Sequence, residues 1–308
     1  MSPPTNSRSR FVRPTTPRPL ELTPRDRAVL VSVFRHRFLS AEHLRRLHFA
    51  AASLNATQRR LRRLWENRLL DRYWRPLPWH DDHHPGKRPL YVLGPAGVDV
   101  VAGDLALPVQ VVRRGIPSTT AYHARLEHEL VTADFLTSLI AALRGRTEAV
   151  LVSTEPEPVL WRKLRQRGSP AGPRRPFLVS DSAVTFSDRD GGNRRTFHLE
   201  VVRADVRSGN KGIATKMALY LRLLRSGYFA ETFGHERLRA VLFLTTSPDR
   251  AENLRQLAMK LEHGRQLFWF GAYEQWDRGG TPESSLTPED ALEAMWTDAA
   301  GERQSLLA

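Results

Sequence analysis

Apolar positions in the first hundred residues recur three times at helical spacing and then give way to short extended runs. Thr23 to Arg37 predicts a first helix, with Thr23 as cap, Pro24 at its first position, and Val29, Leu30, Val33 and Phe34 on its apolar side. Ser40 caps a second, short helix whose Leu44, Leu47 and Phe49 turn inward. After the connector AAASLNA, Thr57 to Leu70 predicts a third helix, with Leu61, Leu64, Trp65 and Leu69 on one stripe. Tyr73-Trp74 and Pro89 to Leu93 read as two short strands around a Pro/Gly/His-rich tip. Three compact helices followed by a hairpin describe a winged helix-turn-helix.

The pattern changes after a link around Ala102 to Thr119. Ala121 to Leu143 predicts a long helix with Leu126, Leu130, Phe135, Leu136 and Leu139 on its apolar side. Strands are expected at 149–154, 177–186, 196–202, 239–246 and 266–272, with helices at 212–225 and from Ser247 to Gly264. Helix, antiparallel strands, helix, buried strand, helix is an α/β unit on a mixed sheet. The expected fold class is therefore α/β overall, an N-terminal winged helix-turn-helix at 22–104 followed by a mixed-sheet domain at 120–275. Residues 1–21, rich in Pro, Ser, Thr and Arg, read as a disordered basic arm in which Arg8, Arg10, Arg13 and Arg18 are available to phosphates. The tail, 276–308, holds a short amphipathic piece, LTPEDALEAMWTDAA, that docks on the second domain or on a partner.

Charge sharpens this picture. Lys+Arg 47 against Asp+Glu 33 leaves the 308 residues at +14, a balance that favours a polyanion, either nucleic acid or an acidic membrane surface. No apolar run is long enough to span a bilayer and the amino terminus lacks a signal-peptide core, so the expectation is a cytoplasmic protein with no membrane partner. With no cysteine, disulfides, thiolate metal sites and cysteine nucleophiles are excluded.

The charge concentrates on the third helix, where Arg59, Arg60, Arg62, Arg63 and Arg68 surround the apolar stripe. Five guanidiniums on one short helix repel one another unless an anion faces them, and double-stranded DNA supplies it. Arg72, Arg75, Lys87 and Arg88 extend the positive surface along the wing. The alternative is a solvated basic face on a packing or dimerising module. His80, Asp81, Asp82, His83 and His84 at the wing tip have metal-ligand chemistry, but adjacent ligands on one loop without cysteine more often make a polar hairpin tip.

A second constellation lies in the mixed-sheet domain. The strands at 177–186 and 196–202 are joined by SDRDGGNR, a hairpin signal. A turn centred on Asp190-Gly191 places Asp181 opposite Glu200, and Ala183 opposite His198. Directly paired side chains share a face with Cβ atoms roughly 5 Å apart, so two carboxylates there repel each other unless a cation lies between. Mg²⁺ held by such a pair orients water and stabilises charge on a phosphate being cleaved. A one-residue slip of the turn sends the two side chains to opposite faces.

These elements resemble the replication-relaxation family, associated with plasmid replication and mobilisation in bacteria. The resemblance rests on the basic winged helix, His128-Glu129-Leu130 on the long helix, Ser180-Asp181, Glu200-Val201-Val202-Arg203, and a helix with Lys216 and Tyr220. It runs from about Leu22 to Trp296 through short, degenerate motifs. The second domain is also similar to PD-(D/E)XK nucleases. That likeness implies Asp181 and Glu200 as metal ligands and catalytic carboxylates, with Glu127 or Glu129 completing the shell and Lys216 as the catalytic lysine. Val202 stands where the lysine two residues past the second carboxylate is expected, the third acidic position is lost with it, and Ser180 replaces the proline.

Three functions follow. The first is a DNA-binding protein of plasmid or mobile-element replication or relaxation, whose nuclease-like domain is degenerate. The second is an active Mg²⁺-dependent endonuclease or nickase. The third is a winged-helix regulator of transcription or of protein association. Beyond duplex DNA, the expected partners are a second copy of the chain or replication and mobilisation proteins.

Overall fold

The computed structural model describes residues 12–73, 89–117, 126–144, 146–166, 177–202, 210–245, 247–272, 291–292 and 295–307, without the side chains of Glu127 and Asn210. The protein is mixed α/β and divides into two compact units, one built on residues before His123 and one from His123 onward.

In the first unit α1 (Pro24–His36), α2 (Ala41–His48) and α3 (Leu54–Glu66) precede β1 (Leu70–Tyr73) and β2 (Leu90–Leu93). This order is compatible with a winged helix-turn-helix. Thr23 and Asp26 cap α1 reciprocally, the Thr23 oxygen accepting from Asp26 N at 3.2 Å and Asp26 Oδ2 accepting from Thr23 N at 2.8 Å. Val29, Leu30, Val33, Leu44, Leu61 and Leu64 are fully buried, so the three apolar stripes meet as their spacing predicts. α3 begins inside the stretch expected as connector, because Ser53 caps it, accepting from Ala56 N at 3.2 Å. It ends at Glu66, and Leu69 is buried outside the helix after Arg68, whose φ of 60° breaks the helical path. β1 and β2 pair antiparallel, Leu70 with Leu93 through Tyr73 with Leu90. Leu39 adds a bridge to Tyr91. The wing tip, with Arg75, Lys87, Arg88 and the histidine cluster, lies outside the described residues.

Two expectations for this unit change. The stretch read as a link from about Ala102 holds the end of α4 (Gly97–Leu105) and the whole of α5 (Val109–Gly115), with Val98, Val101 and Val112 buried and α4 against α1. Of the arm expected to be disordered, residues 1–11 are outside the described residues, but from Val12 the chain is fastened to the unit. Arg13 donates to Trp65 O at 2.9 Å, to Leu70 O at 3.2 Å and to Asp71 Oδ1 at 2.6 Å. Arg63 donates to Pro19 O at 2.9 Å, and Asn67 to Arg18 O at 3.3 Å.

The second unit is a seven-stranded mixed sheet in the order β3-β4-β5-β6-β7-β8-β9. Its strands are β3 (Val150–Pro156), β4 (Ser182–Ser187), β5 (Arg195–Val202), β6 (Leu238–Thr245), β7 (Phe268–Ala272), β8 (Trp296–Asp298) and β9 (Arg303–Gln304). β5, β6 and β7 run parallel, and the remaining neighbours are antiparallel. From Ala240 to Leu244, β6 is continuously apolar and buried, as the interior of a parallel strand usually is. One face carries α6 (Leu126–Ala142), packed through Phe135, Leu136 and Leu139 on Val184, Phe197 and Leu199. The other carries α7 (Glu157–Gln166), α8 (Asn210–Arg225), α9 (Tyr228–Phe233) and α10 (Pro248–Met259), packed on Ala183, Val241 and Phe243. α7 and α9 were not anticipated. The tail docks on this unit, extending the sheet with β8 and β9 and burying Trp296 against α6.

Candidate functional site

The β4–β5 hairpin turns in the expected register. Ala183 pairs with His198 and Ser182 with Leu199, which carries Asp181 to the position opposite Glu200. Gly191 adopts φ 72°, the left-handed conformation that the Asp190-Gly191 turn requires. Asp181 precedes β4, yet its N donates to Leu199 O at 3.0 Å and its Oδ2 accepts from Val201 N at 2.8 Å. Those two bonds lock the carboxylate beside Glu200.

Side chains from both faces converge on this pair. On α8, Ile213, Met217, Tyr220 and Leu223 bury the apolar stripe, and Lys216 stands one turn before Tyr220. Lys216 Nζ forms an ion pair with Glu200 Oε2, and Tyr220 donates its hydroxyl to Glu200 Oε1 at 2.5 Å. From the first turns of α6, His128 Nε2 lies 2.8 Å from Asp181 Oδ1. Glu200 is 2% exposed and Asp181 7%, so little solvent screens them. Burial pushes the Glu200 carboxyl up, Lys216 draws it down and Asp181 pushes it up again, leaving it at about 7. Burial also opposes the charge on Asp181, but the His128 hydrogen bond, the Lys216 ammonium and the Val201 N–H together hold it below the usual carboxylate range. Burial and the Glu200 charge drive the Tyr220 phenol well above its ordinary value.

Asp181, Glu200 and Lys216 are thus brought together. From α6, His128, one position before Glu129, reaches Asp181, and among the described residues no group of three His, Asp or Glu side chains is placed to hold a metal. The Glu127 side chain lies outside the described residues. The pair alone still suits Mg²⁺. Each carboxylate oxygen has two lone pairs, and Mg²⁺ commonly takes only one or two protein carboxylates, with water and phosphate filling the other positions.

Beside this site runs a buried chain that the sequence reading did not identify. His198 Nε2 is 3.0 Å from His235 Nδ1, His235 Nε2 is 3.1 Å from Glu155 Oε2, and Lys163 Nζ donates to Glu155 Oε1 at 2.6 Å. Ala183 separates Glu155 from His198 along one sheet row. Its small side chain is the sequence signal, since the flanking polar groups are then bridged from above by His235. A cavity of about 490 Å³ opens beside Glu155, Lys163 and His235.

In the first unit the arginines divide sharply. Arg60 is turned inward, paired with Asp26, which is 1% exposed, and donating to Glu21 O at 3.1 Å. Arg63 holds Pro19 O, and Arg72 stacks 4.0 Å over the Trp65 ring. Arg62 Nε reaches Glu66 Oε1 at 2.9 Å on the outer face. Only Arg59 and Arg68 of the five are exposed with no side-chain ion pair or hydrogen bond to a described residue.

The fold and site define a class: a mixed α/β protein whose first unit has helix-turn-helix order and whose second carries paired carboxylates on a hairpin. A model of the replication-relaxation family matches residues 30–236, more than half of the chain. The protein belongs to the replication-relaxation family. No curated protein and no solved structure matches it. Among the described residues no helix is long and apolar enough to cross a membrane.

Proposed function

We propose that this protein binds duplex DNA in the replication or relaxation of a plasmid or mobile element, through the winged helix-turn-helix of its first unit. The observation that carries this reading is the outer face of α3. Asn55 and Arg59 project from it with no side-chain partner among the described residues, on a chain with net charge +14. Family membership supports the replication role. Binding should weaken steeply with added salt, because each neutralised phosphate releases counterions. Salt-indifferent behaviour and no retardation of any duplex would instead favour a protein-binding regulator.

The Lys216–Glu200 ion pair supports a second reading, a Mg²⁺-dependent endonuclease or nickase of the PD-(D/E)XK kind. Asp181 and Glu200 would hold the ion, which when bound would activate water and stabilise charge on the phosphate. Lys216 would place a positive charge at the same carboxylates, Tyr220 would orient Glu200, and His128 would fix Asp181. Nicking of supercoiled plasmid with Mg²⁺, lost in Asp181→Ala, Glu200→Ala and Lys216→Ala, establishes this activity. Retained DNA binding without nicking leaves the domain as a scaffold.

A further inference from the structure

α3 gives a more specific result than a basic helix. Its thirteen residues bury Thr57, Leu61, Leu64 and Trp65. The opposite stripe is Asn55, Arg59, Arg62 and Glu66, at the i, i+4, i+7, i+11 spacing of one helix face. The C-terminal half of this stripe is closed on itself by the Arg62–Glu66 ion pair. The N-terminal half is open: Asn55 and Arg59 are exposed, and neither touches a partner among the described residues. Gln58 flanks them, half-buried and equally unpartnered. The first turn carries no acidic residue, so no carboxylate there repels a phosphate. The helix end nearest these side chains also presents free N–H groups and the positive end of its dipole.

Resting on the DNA-binding reading above, we infer that Asn55 and Arg59 are the base-reading pair of this protein. They recognise an adenine and a guanine in the major groove, while Arg60, Arg63 and Arg72 serve the fold. An asparagine amide matches the N6 and N7 edge of adenine bidentately, and a guanidinium matches O6 and N7 of guanine. Four residues of α-helix advance about 6 Å, so the two contacts fall roughly two base steps apart at about 3.4 Å per step. Gln58 extends amide recognition to a base beside the first. Arg62, held by Glu66, is left to the backbone.

The test is selection from a randomised duplex pool with the full chain, followed by affinity measurement on the enriched duplex and on a scrambled one. The wild type should enrich sites holding an adenine and a guanine about two steps apart. Arg59→Ala should lose discrimination at the guanine, and Asn55→Ala at the adenine, each by about 5- to 150-fold. Affinity for scrambled duplex should change far less. Arg59→Lys should keep the salt-dependent affinity but lose the guanine preference, because an ammonium lacks the two-pronged donor geometry. Enrichment that survives in both alanine variants, or a wild type that binds duplex yet enriches nothing, overturns this assignment and leaves DNA binding standing. Failure to bind any duplex at low ionic strength removes the proposed function itself.

Discussion

Asp181 accepts a hydrogen bond from the backbone N–H of Val201, the residue after Glu200, at 2.8 Å. The carboxylate that faces Glu200 is therefore also the partner of a buried strand amide. Asp181→Ala orphans that N–H, at a cost of about 1–3 kcal/mol, whereas Asp181→Asn keeps an oxygen able to accept. The urea midpoint of Asp181→Ala should fall clearly below that of Asp181→Asn. Equal midpoints would show that the bond contributes nothing.

Glu200 carries a pH signature. Its folded value of about 7 lies above the ordinary glutamate range, chiefly through burial, so its proton is held more tightly in the native state. The stability linked to that proton is complete below about pH 4.3, declines as pH rises towards 7, and has gone above it. Glu200→Gln stays neutral throughout. Measured against wild type, the variant should gain relative stability between these limits, on the order of 1–3 kcal/mol, and the difference should level off above pH 7. A pH-independent difference would contradict the buried, charge-opposed setting of Glu200.

Arg60 and Arg59 are neighbours with opposite assignments. Arg60 neutralises Asp26, a nearly inaccessible carboxylate that also caps α1. Burial opposes that carboxylate's charge, but Arg60 and Thr23 hold it below its usual range. The associated stability is present at neutral pH and is lost as pH falls through the carboxylate range. Arg60→Ala should cost about 1–3 kcal/mol, reduced from the fully buried case because the guanidinium is partly exposed, and should flatten that acid limb. Arg59→Ala should leave the denaturation curve unchanged. If both variants unfold like the wild type, the inward assignment of Arg60 is wrong.

The sequence made some of this legible and withheld the rest for identifiable reasons. The Asp190-Gly191 turn signal is local and its central register is the one adopted, so the Asp181–Glu200 juxtaposition could be read from nearby sequence. Lys216 falls on the border of the α8 stripe, and its choice of Glu200 over solvent follows from the packing of α8 on β5. By contrast, Asp26 lies 34 residues from Arg60 in sequence, and the partner of Arg63 is a backbone carbonyl, which no side-chain pattern announces. The α6 residue that reaches Asp181 depends on one residue of helical rotation, about 100°, which separates His128 from Glu129 and which periodicity does not resolve at a helix end.

The tail is the last case, because its amphipathic piece fits the second domain or a partner equally well on sequence alone. Trp296 decides it: fully buried, edge-on to Phe135 at 5.8 Å, with its indole N–H donating to Ala291 O at 3.1 Å. The socket exists because β7 carries Gly271 opposite the indole, where an added Cβ would come within 2.9 Å of Trp296 Cε3. Trp296→Ala should therefore cost about 3–5 kcal/mol by opening a cavity in the core of the second unit. Gly271→Ala should destabilise from the other side by crowding the ring. The two changes share one space, so they should couple: in the Trp296→Ala background the Gly271→Ala penalty shrinks, leaving the part due to the Met295 carbonyl at 3.1 Å. Additive penalties in a double-mutant cycle of chemical denaturation would mean that the indole does not occupy this socket in solution and that the tail is free to engage a partner.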